Sequence, residues 1–199
     1  MCFHSKQTKK AQKLEHKFNA KIENIDVFTT SKHYNGFSFP KTPVITNEDV
    51  SKIQMMHWGL HPNWAQDDFN KTFTLNARIE TLSDKKSFKN ILNNRCVILV
   101  NGFYEWQHIK NQKVKYDIGF NDELFALAGI FDKNNSYKSY SVITTKAQGV
   151  MCEIHNTKLR MPLALNSKKQ IESWLQGDEV MPSFNFSAIA KSDFQTSLF

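Results

Sequence analysis

Cys96-Val97-Ile98-Leu99-Val100-Asn101-Gly102-Phe103-Tyr104-Glu105-Trp106 decides how this chain folds. The first five residues are apolar and mostly β-branched, with no polar alternation. A strand of that kind is covered on both faces. The segment then runs through Asn-Gly into an aromatic stretch that ends on a carboxylate. Strand side chains alternate, so Glu105 shares a face with Phe103 and Asn101, while Tyr104 and Trp106 face the other way. Glu105 is open to two readings. At a strand end it can point into water, or it can be desolvated beside the aromatics, with a raised pKa suited to proton transfer.

Further strands are expected at Val44–Thr46, Gln54–Leu60 and Tyr140–Thr144. Lys113–Ile118 and Leu124–Phe131 read as an antiparallel pair. Helices are expected over Ser5–Lys21, where Ala11, Leu14, Phe18 and Ile22 recur at helical spacing, and over Asn76–Leu82, Lys85–Asn93 and Lys168–Leu175. The sum is one α+β domain over residues 1–180 with mostly antiparallel strands. Residues 181–199 read as a loosely attached tail.

The chain has 199 residues, 40% of them hydrophobic, with 16 Phe, which excludes a disordered polyampholyte. No apolar run reaches the about 18 residues of a membrane span. Lysine-rich sequence follows Met1-Cys2 in place of a signal peptide. Three scattered cysteines form no disulfide framework. A cytoplasmic protein with no membrane contact is expected. The formal net charge of +7 permits a polyanionic partner without requiring one. Of 26 basic residues only Arg78, Arg95 and Arg160 are arginine. Guanidinium offers a planar fork to phosphate or carboxylate that lysine lacks.

Methionine ahead of a small residue is ordinarily trimmed, which leaves Cys2 with a free α-amine and a thiol on adjacent carbons. Such an aminothiol condenses with aldehydes to a thiazolidine and needs no cofactor. The amine titrates near pH 7.7–8.0, so a useful fraction is nucleophilic at neutral pH. Position 2 alone does not decide between that chemistry and an ordinary cysteine. Asn76 fits a helix N-cap as well as a site residue. His155 fits a core histidine as well as a catalyst. Cys2, His4, Cys152 and His155 allow zinc on paper, but no metal site is expected.

Taken together, Cys2, Trp58-Gly59-Leu60, Asn76-Ala77-Arg78 with Glu80-Thr81, Arg95-Cys96, Gly102-Phe103-Tyr104-Glu105-Trp106, Thr144-Thr145, Ile154-His155 and Arg160-Met161-Pro162 resemble, in order, the SRAP (SOS response-associated peptidase, or abasic-site processing) family. The resemblance runs to about Leu175. It implies a curved or barrel-like sheet with peripheral helices, and a monomer that crosslinks to abasic sites in single-stranded DNA through Cys2. Asn76, Glu105 and His155 would serve as the other catalytic residues, and Arg78, Arg160, Trp106 and Pro40 as DNA contacts. Its alternatives are a cysteine-dependent (auto)peptidase and a non-covalent single-stranded nucleic-acid binder. Where bound to DNA, the protein would associate with the nucleoid.

Two departures stand out. The family usually continues Cys-Gly-Arg, whereas this chain has Phe3-His4, leaving His4 or Lys6 to replace the arginine. Four residues, 156–159, also separate His155 from Arg160.

Overall fold

The structure, a computed structural model, describes residues 2–134 and 137–191. In chain order the strands are β1 (His4–Gln7), β2 (Lys21–Ile22), β3 (Ser31–Asn35), β4 (Lys41–Thr46), β5 (Asp49–Trp58), β6 (Asn76–Arg78) and β7 (Arg95–Val100). They continue with β8 (Gly102–Ile109), β9 (Gln112–Gly119), β10 (Phe125–Asn134), β11 (Tyr137–Lys146), β12 (Arg160–Pro162), β13 (Ala164–Leu165) and β14 (Ser187–Lys191). The helices are α1 (Ala11–Phe18), α2 (Met151–Ile154) and α3 (Lys168–Gln176).

Two curled sheets result. One has the order β14-β9-β8-β1-β3. The other runs β12-β11-β10-β7-β4-β5-β2, with β6 and β13 added at β11 and β10. Most pairings are antiparallel. The larger sheet curls until β11 touches β5 through Ser139–His57 and Tyr140–Trp58, without becoming a closed barrel. This is the α+β architecture expected from the sequence.

The apolar run forms β7, between β4 and β10. Cys96, Ile98 and Val100 pack into one core cluster and Val97 and Leu99 into the other, which explains the absence of polar alternation. The chain then crosses from the larger sheet to the smaller at Asn101–Gly102. A Cβ on Gly102 would lie 3.1 Å from the Ile118 carbonyl oxygen and press on the Lys6 side chain, so a larger residue at the crossing would disturb the Lys6–Asp117 contact.

Four local expectations are corrected. Residues His4–Gln7 are a strand, because β3 and β8 both claim their backbone, so the first helix starts only at Ala11. That helix stops where Asn19 turns left-handed (φ 50°), before Ile22. Asn76–Arg78 is not a helix start but a strand laid parallel on β11, followed by a 3-10 turn over Ile79–Thr81. Lys85–Asn93 is a series of turns that buries Phe88 and Ile91. Finally, β9 and β10 do not pair: β9 lies between β8 and β14 in the smaller sheet, and β10 beside β7 and β11 in the larger.

Within the stretch read as a loose tail, Ser187–Lys191 adds to β9 through five register pairs, from Ser187–Gly119 to Lys191–Lys115. Residues 192–199 lie outside the described residues. Among the described residues, no helix is long and apolar enough to cross a membrane.

Candidate active site

The start of the chain is held by β1. Its register sets Ser5 against Phe103 and Lys6 against Gly102, which directs the chain start along β8, where Cys2 lies close enough to Glu105 to feel its charge. Polar contacts lock the inner end. Lys6 Nζ lies 2.8 Å from Asp117 and 3.3 Å from Asp122. The wholly buried Asn101 accepts a hydrogen bond from the Thr8 N–H (2.9 Å) and donates to Asp122 (2.5 Å). Lys6 is thereby committed to carboxylates, which removes it as a replacement for the missing arginine.

The outer end is dry. Cys2 is 0% exposed, its Sγ 3.9 Å from the His4 carbonyl oxygen. Burial, with the Glu105 charge adding, pushes its thiol up to about 12. Glu105, 6% exposed, is pushed up to about 7 by desolvation. Of the two sequence readings, the desolvated carboxyl is the one found. A carboxyl raised toward neutral pH can both donate and accept a proton there.

His155 is buried, with Nε2 3.9 Å from Glu105 Oε2. Desolvation pushes its pKa down to about 4. Its Nδ1 lies 2.7 Å from the Arg160 carbonyl oxygen and 3.1 Å from the Arg160 N–H, contacts that demand opposite tautomers. We assign the hydrogen to Nδ1 on the shorter contact, where it donates to the carbonyl, which turns the Nε2 lone pair to Glu105. The four extra residues do not separate His155 from Arg160. The loop folds back through a Leu159 N–H to His155 carbonyl bond of 2.9 Å, with Leu159 in the left-handed region (φ 51°).

Asn76 pairs with Val142 on β11, and Val142 packs in the same core cluster as Cys2. The Asn76 side-chain oxygen and nitrogen are both buried and without a hydrogen-bond partner among the described residues. A buried amide in that condition costs roughly 1–3 kcal/mol, and a ligand with matching polar atoms recovers it.

The expected DNA contacts divide. Arg78 is exposed at the end of β6. Trp106 is half-buried; the His4 ring meets it edge-on at 4.8 Å and Lys115 Nζ lies 5.7 Å from its ring. His4 also bonds His33 at 2.8 Å, and burial followed by the His33 and Lys115 charges pushes it down to about 4. Pro40 precedes β4 and accepts the Trp58 N–H at 2.9 Å. Arg160 is placed differently from a phosphate contact. It is 7% exposed, both terminal nitrogens are bonded to Glu80 (2.7 and 2.9 Å), and one of them also reaches the Thr144 carbonyl (2.6 Å). Arg95 is remote from the site, stacked 4.2 Å from Trp174 with a bond to the Asp178 carbonyl.

Cys152 is exposed and donates to the Ala147 carbonyl (3.3 Å), and the described residues contain no group of three or more metal-ligating side chains. A cavity of about 780 Å³ lies between α1 and α3, lined by Phe18, Ile45 and Leu175 among others and by none of the four catalytic candidates. Asn101 and the Lys6–Asp117 pair went unforeseen. Their only signal in the sequence is the Asn-Gly that ends an apolar run.

The sequence profile described as "SOS response associated peptidase (SRAP)" matches residues 1–195. The chain is 32% identical over 185 residues to the abasic site processing protein YoqW of Bacillus subtilis, covering 85% of this chain and 80% of that one. It is 33% identical over 165 residues to the abasic site processing protein HMCES of Rattus norvegicus, covering 63% of this chain and 45% of that one. A crystal structure of a protein from Bacteroides thetaiotaomicron superposes with a TM-score of 0.85 at 29% identity, covering 96% of this chain and 93% of that one. Motif order, fold and these matches agree: the chain belongs to the SRAP family.

Proposed function

We propose that this protein recognises abasic sites in single-stranded DNA and captures them covalently through Cys2 once Met1 is removed. The observation that carries the reading is the meeting of Cys2, Glu105 and His155, from residues 2, 105 and 155 of the chain, in one desolvated place. An abasic deoxyribose opens to an aldehyde. Glu105, divided between its two protonation states near pH 7, supplies and removes protons during opening. The Nε2 lone pair of His155 takes a proton from Glu105 and passes it to the ring oxygen. The Cys2 amine then attacks C1′, the carbinolamine loses water to an imine, and the thiol adds to the imine carbon while its proton passes to nitrogen. One C–N and one C–S bond form and one water leaves. Sulfur addition removes the imine that would otherwise promote strand cleavage.

Asn76 presents its amide to the sugar, Arg78 contacts a flanking phosphate, and Trp106 and Pro40 meet the neighbouring bases. Holding the reactants together contributes up to roughly 7–11 kcal/mol. The thiol, held near 12, is a poor standing thiolate, which weighs against a general thiol peptidase. Denaturing electrophoresis of processed protein with abasic single-stranded DNA tests the reading. A shifted band is expected for wild type and none for Cys2→Ala. No band from wild type defeats it.

A further inference from the structure

The Glu80–Arg160 pair has no counterpart role in the capture chemistry, yet it is built with care. Arg160 is buried and its guanidinium meets Glu80 through two parallel bonds, at 2.7 and 2.9 Å. Such a fork fixes orientation as well as charge. The same guanidinium reaches the Thr144 carbonyl oxygen and hydroxyl at 2.6 and 3.3 Å. Three separate elements therefore meet on one side chain: the 3-10 turn after β6, the strand β11, and β12. The Arg160 backbone in turn holds the His155 ring at Nδ1, at 2.7 Å from its carbonyl oxygen. The Arg160 carbonyl thus makes the shorter contact to the ring, and the Arg160 residue is held both by its register with Lys146 on β11 and by the side-chain fork to Glu80.

We infer that Glu80 is a positioning residue: through Arg160 it holds the His155 ring with hydrogen on Nδ1 and the Nε2 lone pair toward Glu105. It also ties that ring to Asn76 and Arg78, because Arg78 pairs with Thr144 in the β6–β11 register. Sugar contact, phosphate contact and proton relay are then set by one brace. Its kinetic consequence rests on the capture reading above, whereas its structural consequence does not. The Glu80 side chain is 37% exposed, and Gln keeps its shape and one acceptor for the guanidinium, so Glu80→Gln removes the charge of the fork without removing side-chain volume.

The test is Glu80→Gln, with Glu80→Asp as the charge-conserving variant. Nitrogen-15 NMR of the His155 ring in the free protein is the first readout. The wild type is expected to show the Nδ1–H tautomer, Glu80→Gln a mixture, and Glu80→Asp the wild-type pattern. The second readout is the crosslinking rate constant at saturating DNA, expected to fall roughly tenfold in Glu80→Gln with DNA affinity lowered and not raised, in keeping with the sensitivity of such reactions to small misplacements. Unchanged ring signals in Glu80→Gln overturn the inference. So does tighter, more salt-sensitive DNA binding at an unchanged rate, which would make the released Arg160 a phosphate ligand. If wild-type protein forms no crosslink, the capture reading fails and the ring signals alone decide this one.

Discussion

Lys6 and Glu105 sit on neighbouring strands of the same sheet, are both largely desolvated, and come out oppositely. For Lys6 the desolvation that would lower its pKa is outweighed by Asp117 and Asp122, and it stays charged above its ordinary value. For Glu105 desolvation wins, and the charged form is disfavoured. The difference lies in partners. The inner end of β1 is a lattice of charges and amides built to fix the backbone. The outer end is an apolar enclosure in which a thiol, a carboxyl and an imidazole are kept from water. One end holds the chain start still so that the other can keep reactive groups away from their solution behaviour.

The largest way to break this contrast, after loss of the thiol itself, is Glu105→Gln. A carboxyl whose folded pKa rises from 4.5 to about 7 favours the folded state most below about pH 4.5, and that contribution is lost as pH rises through 7. Glu105→Gln is therefore expected to be more stable than wild type at pH 8, by on the order of 3 kcal/mol at most, with the gap closing below pH 5. Denaturant titrations at the two pH values check it. Wild-type crosslinking is expected to quicken between pH 6 and pH 8 as both the Glu105 carboxyl and the Cys2 amine lose protons, and the same variant should remove the Glu105 part of that rise while leaving the amine part near pH 7.7–8.0.

Lys6→Met attacks the other end. Among the described residues it leaves Asp117 with Lys191, 3.5 Å away, as its remaining near cation. A loss of about 1–2 kcal/mol in unfolding free energy is expected, less than for a fully buried pair because Asp122 is partly exposed. Crosslinking should slow as well, since the Cys2 backbone loses its anchor. Arg78→Ala should act on neither end. It should weaken DNA binding modestly and reduce the slope of log affinity against log salt by about 1, as measured by fluorescence anisotropy across a salt series.

What the sequence made legible follows the same division. The apolar run of β7 announced a strand buried on both faces, because burial of that kind is written in consecutive residues, whereas the aromatic residues around Glu105 left its desolvation as one of two readings. The helix α3 was equally readable from its spacing, and its capping box, with Ser167 and Gln170 bonded reciprocally, lies within one helical turn. Contacts made across the fold were not. Asn76 sits in a segment with a local helix signal that backbone pairing with the buried stretch Val142–Thr144 of β11 overrode. The pairing of Lys6 with Asp117 spans 111 residues and left no periodicity to find. Arg160 stood out as a rare arginine, but its engagement with Glu80 was invisible until 80 residues of intervening chain were folded.

The most direct test is peptide mapping of the crosslinked product by mass spectrometry, with and without borohydride. The account predicts an adduct on the peptide beginning at Cys2, lighter by one water than the sum of peptide and abasic fragment, and unchanged by borohydride because no imine remains. An adduct on a lysine, or one that borohydride converts to a product two hydrogens heavier, would contradict it.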